Sequence, residues 1–204
     1  MKDPAKNEAA LNSFSLTGVI AGIEQQIKTL QLLIHQDVVG KMPTDFKLMV
    51  PKAILPEQIF PYVQGDTVMV EDALLYMKDS EVRLRIESMT QIRGTTASPG
   101  DFNTLSFSGK IVETKEEAGH LLVTVEQKVM DVFSTSLDFL IPKNVKMETL
   151  PKAGDIGLFK SAILYDKEGS FRARIDRPTY TVLYSPDIVM YMGTVEAKEA
   201  FARQ

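Results

Sequence analysis

The sequence predicts an all-β protein built as two small barrels in succession. Three observations lead there. The chain can be laid over itself at an offset of 91 residues and then 89, which is the mark of a repeated unit. Each unit holds short segments in which apolar and polar residues alternate, the period of a half-buried strand. Glycines stand inside the first of those segments, where a strand bulges or coils sharply, and such curvature suits a small barrel.

The overlay is ordered along the chain. Ser15-Leu16-Thr17-Gly18-Val19-Ile20 lies over Ser106-Phe107-Ser108-Gly109-Lys110-Ile111, and Leu48-Met49-Val50-Pro51-Lys52 over Phe139-Leu140-Ile141-Pro142-Lys143. After a shortening of two residues, Gly65-Asp66 meets Gly154-Asp155, Tyr76 meets Tyr165, and Val82-Arg83-Leu84-Arg85-Ile86 meets Phe171-Arg172-Ala173-Arg174-Ile175. Matches in sequence order at a near-constant offset predict a duplication. The other account is two unrelated β-rich halves whose common turn chemistry imitates one. Gly94-Thr95-Thr96-Ala97-Ser98-Pro99-Gly100-Asp101 is the longest run of turn formers and is read as the joint. That divides the chain into a flexible lead at 1–11, units at 12–93 and 102–185, and an extension at 186–204, partly helical. The joint is short enough to hold the units close together.

Within the first unit, Leu16 to Glu24 reads as a strand with Gly18 and Gly22 inside it. Lys28 to His35 alternates, with Leu30, Leu32 and Ile34 on one face, and Phe46 to Val50 does the same with Phe46, Leu48 and Val50 inward. Ile54 to Val63 is too short and proline-punctuated for a strand; Pro56 suits a first helical turn. Gly65-Asp66 is a turn into Thr67 to Val70, Ala73 to Met77 follows, and the last strand starts at Glu81 and runs to Glu87 or beyond. The second unit repeats this with strands at Phe107 to Thr114, His120 to Lys128, Phe133 to Ile141, Ile156 to Leu164 and Ser170 to Leu183.

Three strands, a short helix or loop, then two more strands resemble the OB-fold, a five-stranded Greek-key barrel. The segments Gly65-Asp66-Thr67-Val68-Met69-Val70 and Gly154-Asp155-Ile156-Gly157-Leu158-Phe159 look like the Gly-Asp approach to strand four in single-stranded DNA-binding proteins, replication protein A and telomere-end proteins. Tyr76 to Glu81 and Tyr165 to Ser170 resemble the turn before strand five. The resemblance covers roughly residues 12 to 185 and implies two tandem five-stranded OB-fold barrels that bind single-stranded DNA. A pair of SH3-like barrels would use similar strands without the intervening helix.

Composition narrows the chemistry. The chain has 204 residues, no cysteine, no tryptophan and two histidines, so thiol nucleophiles, disulfides and cysteine-held zinc are excluded. Phosphate-loop, dinucleotide, zinc-protease and nucleophile-elbow motifs are absent from the sequence. His35 and His120 are not at matched positions, and the adjacent acids Glu71-Asp72 and Glu116-Glu117 would point to opposite faces of a strand. The expectation is therefore a protein that is not an enzyme and needs no cofactor or metal. The polar start and the lack of a long apolar run lead to the expectation of an intracellular protein without a membrane span. With 27 acids against 23 bases, any nucleic-acid contact must be a local basic strip.

That strip has candidates. Arg83 and Arg85 share one face of their strand, and Arg172 and Arg174 do the same at matched positions. Lys47, Lys52, Lys143 and Lys146 flank strand three and the segment after it. Single strands are held by cations along the backbone and by aromatic rings beneath the bases, which makes Tyr76, Tyr165 and Phe159 the stacking candidates. The plainer account has the arginines paired with Glu81, Glu87 and Asp176 on a solvated face. The expected partner is single-stranded DNA, with RNA in the same class because nothing here reads a 2′-hydroxyl. The other function class is a protein-interaction module or homo-oligomer built on the same barrels, with an apolar patch around Met69, Leu140 or Phe159.

Overall fold

A computed structural model describes residues 11–38, 42–117, 119–130 and 132–186 of the chain. The expected C-terminal helix and nearly all of the N-terminal lead lie outside the described residues. The first half comprises β1 (Asn12–Gln25), β2 (Thr29–Val38), β3 (Met42–Pro51), β4 (Thr67–Lys78), β5 (Glu81–Arg85) and β6 (Ile92–Gly94). The second comprises β7 (Asn103–Glu117), β8 (His120–Val129), β9 (Phe133–Pro142), β10 (Ile156–Lys167), β11 (Ser170–Arg174) and β12 (Tyr180–Tyr184).

Strand pairing closes on itself in each half. β1 pairs with β2, β2 with β3, β3 in parallel with β5, β5 with β4, and β4 returns to β1. In the second half β7, β8, β9, β11 and β10 close in the same order. This is the five-stranded Greek-key barrel of the OB-fold, formed twice, with β6 and β12 added to the outer edges of β4 and β10.

β1 can serve two neighbours because it coils: its first part pairs with β4 and its second with β2, with a register shift between Ile20 and Gly22. Gly18 sits where the strands cross most closely, since a Cβ there would lie 2.5 Å from Ile34 Cγ2 and 2.7 Å from the His35 carbonyl oxygen. The matched Gly109 is pressed against the Glu126 carbonyl in the same way.

Three expectations are corrected. Thr67 to Val70 and Ala73 to Met77 are one bulged strand, because Asp72 takes up the extra residue at φ 52°. The strand expected from Ser170 to Leu183 breaks into β11 and β12, where Pro178 has no N–H for a ladder and Thr179 N–H turns back to the Arg177 carbonyl at 2.8 Å. The helix implied between strands three and four is reduced to two 3₁₀ turns, Lys52–Ile54 and Pro56–Gln58.

The two barrels share a continuous core. β1 and β7 pair antiparallel from Asn12 opposite Phe107 to Leu16 opposite Asn103, and Phe14, Phe46, Phe107, Phe139 and Phe159 are fully buried within one apolar cluster. The Phe46 ring stands 5.8 Å from that of Phe171 in the other barrel.

Side-chain amides stitch the junction in matched pairs, Gln36 and Gln127 buried, Asn12 and Asn103 half-buried. Asn12 Nδ2 donates to the Leu75 carbonyl and to Gln127 Oε1, at 2.7 and 2.8 Å. Asn103 Nδ2 donates to the Leu164 carbonyl and to Gln36 Oε1, both at 2.7 Å. Gln36 Nε2 bonds the Thr17 and Phe102 carbonyls, and Gln127 Nε2 those of Ser108 and Leu11. The segment from Thr95 to Phe102 is strapped to the first barrel, with Thr95 N–H on the Thr67 carbonyl and Gly100 N–H on that of Thr17.

Candidate nucleic-acid interface

Alternation along β5 turns Val82 and Leu84 into the core and leaves Glu81, Arg83 and Arg85 on the outer face. Register then decides their company. Arg83 lies opposite Lys47 of β3 and Tyr76 of β4, and Arg85 opposite Met49 and Leu74. In the second barrel Arg172 lies opposite Asp138 and Tyr165, and Arg174 opposite Leu140 and Ile163. All four arginines thus stand on the outer faces beside the third strand of their barrel.

Their ion pairs differ. Glu81 receives Lys47 Nζ at 2.7 Å on one oxygen and Arg83 Nη2 at 3.1 Å on the other. Arg174 Nε donates to Asp176 at 2.6 Å. Arg85 and Arg172 form no ion pair among the described residues, and the Nε atoms of Arg83, Arg85 and Arg172 are buried without a hydrogen-bond acceptor. The plainer account of paired arginines therefore holds for Arg83 and Arg174 only.

The aromatic candidates are not free platforms. Phe159 is 0% exposed and stacks on Phe139 with ring centroids 4.4 Å apart; no base can reach it. Tyr76, 6% exposed, lies under Phe133 at 5.0 Å, in a small cluster with Met49 and Val129. Residues flanking the β8–β9 turn of the second barrel thus cover the outer face of the first. Tyr165 is 9% exposed. Burial raises the pKa of both tyrosines, opposed at Tyr76 by Arg83 and Arg85 and at Tyr165 by Arg172 and Arg174, with Asp176 raising Tyr165 further. The phenols stay neutral, and each hydroxyl lies within the field of its two arginines.

The lysines are dispersed. Lys47 belongs to the arginine row. Lys52 and Lys143 directly follow β3 and β9 at matched positions, Lys52 half-buried and Lys143 paired with Glu116 at 3.2 Å. Lys146 is exposed in the loop after β9, beside Met147, Glu148, Pro178 and Tyr180. His35 Nδ1 meets Asp45 at 2.7 Å. Among the described residues no three His, Asp or Glu side chains are grouped as metal ligands would be, and no helix is long and apolar enough to cross a membrane.

Sequence patterning missed the junction amides and the bridging role of Glu81. A signal for the former existed. Gln36 and Gln127 fall at the inward phase of β2 and β8, so an apolar alternation turns polar at the same place in both halves.

No family model matches the chain, and no curated protein matches it. Among solved structures it is similar to a deletion mutant of the single-stranded DNA binding protein from Thermus aquaticus, at 16% identity and a TM-score of 0.61, over 86% of this chain and 96% of that one. This likeness places the chain in the OB-fold. Weaker likenesses are to fission yeast Pot1 with single-stranded DNA (9% identity, TM-score 0.32, covering 88% of this chain and 86% of that one) and to tetrameric p202 HIN2 (9%, 0.35, covering 87% and 98%).

Proposed function

We propose that the protein binds single-stranded DNA without catalysing a reaction, through contacts that are largely independent of sequence. The carrying observation is the outward placement of Arg83, Arg85, Arg172 and Arg174 at matched positions beside β3 and β9, the side of an OB barrel that oligonucleotides use. The name of the Thermus aquaticus structure supports the same reading. Because Tyr76, Tyr165 and Phe159 are buried, affinity comes chiefly from guanidinium and ammonium contacts to phosphates and not from rings under bases. Such binding falls steeply with salt, by about 0.7 in log-log slope per phosphate contacted on a single strand.

The test is anisotropy of a labelled oligothymidine over a salt series, on the wild type and on R83A/R85A/R172A/R174A. Wild-type binding tighter to the single strand than to duplex, with a slope that falls by about 3 in the variant, is the expected result. Absent binding at low salt, or equal binding to duplex, sinks the proposal. A protein-interaction module is the second reading, favoured by Ile59 and Val63, each 64% exposed between β3 and β4; an unchanged slope in the variant would favour it.

A further inference from the structure

The β4–β5 hairpin turns through Asp79 and Ser80, both at positive φ (54° and 62°), and Glu81 is the first residue beyond it. The turn and the pairing of Glu81 with Lys78 fix the carboxylate on the outer face, two residues before Arg83 and within reach of Lys47 on the neighbouring strand. Its two oxygens are divided between two cations, Nζ of Lys47 at 2.7 Å and Nη2 of Arg83 at 3.1 Å. Arg83 has little freedom to seek another acceptor, since its side chain is only 17% exposed and its Nε is buried. A phosphodiester presents the same pattern to a protein: two anionic oxygens on one centre, each able to take a cation.

We infer that Glu81 is a built-in phosphate mimic, an internal competitor that occupies the anion position of the first barrel and is displaced when a nucleic-acid phosphate arrives. The inference rests on the single-stranded DNA reading above. Two features set Glu81 apart from an ordinary surface acid. It engages both cations of the row that an incoming phosphate would need, and the matched position in the other barrel is Ser170, where Arg172 has no ion pair among the described residues. Lys47 first, then Arg83, holds the Glu81 carboxyl below its ordinary value of 4.5, so the competitor is ionised throughout the neutral range.

Displacing an exposed carboxylate costs little, because exposed ion pairs are weak. Its removal therefore exposes two cations without harming the fold. The variants are E81Q, which keeps the shape and removes the charge, E81S, which installs the second barrel's residue, and the converse S170E. With labelled oligothymidine at low salt, E81Q and E81S should bind about 3- to 10-fold tighter than wild type, with a similar salt slope, because the same cations meet phosphate once the carboxylate is displaced. S170E should bind about 3-fold weaker. If the wild type binds and E81Q and E81S are unchanged or weaker, Glu81 positions Lys47 and Arg83 instead of competing, and the inference falls alone. If the wild type binds no oligothymidine, the DNA reading falls first. Tightening with a duplex oligonucleotide but not with the single strand also overturns the proposal.

Discussion

The outer faces of the two barrels carry the same arginines in different company. In the first barrel Lys47 stands opposite Arg83 and a carboxylate bridges them; in the second, Asp138 replaces the lysine, Ser170 replaces the bridge, and the ion pair moves from the first arginine of the strand to the second. The junction shows the reverse. Asn12 and Asn103, Gln36 and Gln127, and Thr44 and Thr135 make corresponding hydrogen bonds. A buried polar group without a partner is costly, so these residues are held to one arrangement in both halves. An exposed charge can exchange its partner at little cost, so the outer faces diverge.

The largest effects should come from the close strand crossings. Gly18→Ala and Gly109→Ala should each destabilise by about 3 kcal/mol, because the added methyl meets a neighbouring carbonyl that the ladder holds in place. A urea midpoint equal to wild type for either variant would contradict the close approach in that barrel. Next in size are Asn12→Ala and Asn103→Ala, each expected to cost about 2 kcal/mol by stranding an amide and a carbonyl. Chemical denaturation tests the correspondence directly: costs that differ by more than about 1 kcal/mol break it.

Smaller and more discriminating is the comparison of R83A/R85A with R172A/R174A in oligothymidine binding. The first leaves Lys47 with Glu81, whereas the second leaves Asp138 and Asp176 facing the ligand with no compensating arginine. The second pair should therefore lose about tenfold more affinity at low salt, or about 1.4 kcal/mol. Equal losses would mean that the neighbours do not matter.

Least affected at neutral pH should be Tyr180→Phe. Burial first, then Asp155, pushes the Tyr180 phenol up to about 12 from its ordinary 10.0. The folded state then keeps a proton that the unfolded state loses, so stability is full below about pH 10 and declines as pH rises toward 12. The phenylalanine variant removes that share of the alkaline loss and raises neutral stability by about 1 kcal/mol, since the buried hydroxyl has no partner among the described residues. The residue at the matched register position in the first barrel is Ile92, which does not titrate. Denaturation midpoints from pH 8 to 11 that decline identically in both proteins would refute the assignment.

Much of the fold was legible because strand alternation is a local property. Leu30, Leu32 and Ile34, and Phe46, Leu48 and Val50, are buried as their spacing required. The outward direction of the four arginines was legible for the same reason. What failed was exposure across elements. Tyr76 lies on an outer face, as its phase allows, yet Phe133 from the other barrel covers it. Phe159 went to the core because Gly157 and Phe159, not Ile156 and Leu158, take the inward phase of β10, a choice that a run of apolar residues on both faces does not reveal.

The sequence by itself determined the strand phases, the glycines of the first strand in each half and the matched arginines, since each follows from which neighbours along the chain share a face. Only the tertiary structure decided that β1 joins β7, that Gln36 and Gln127 cross the junction, that Tyr76 is roofed by the second barrel, and that Glu81 spans Lys47 and Arg83. Those contacts join residues far apart in the chain, and their partners are chosen by register and packing.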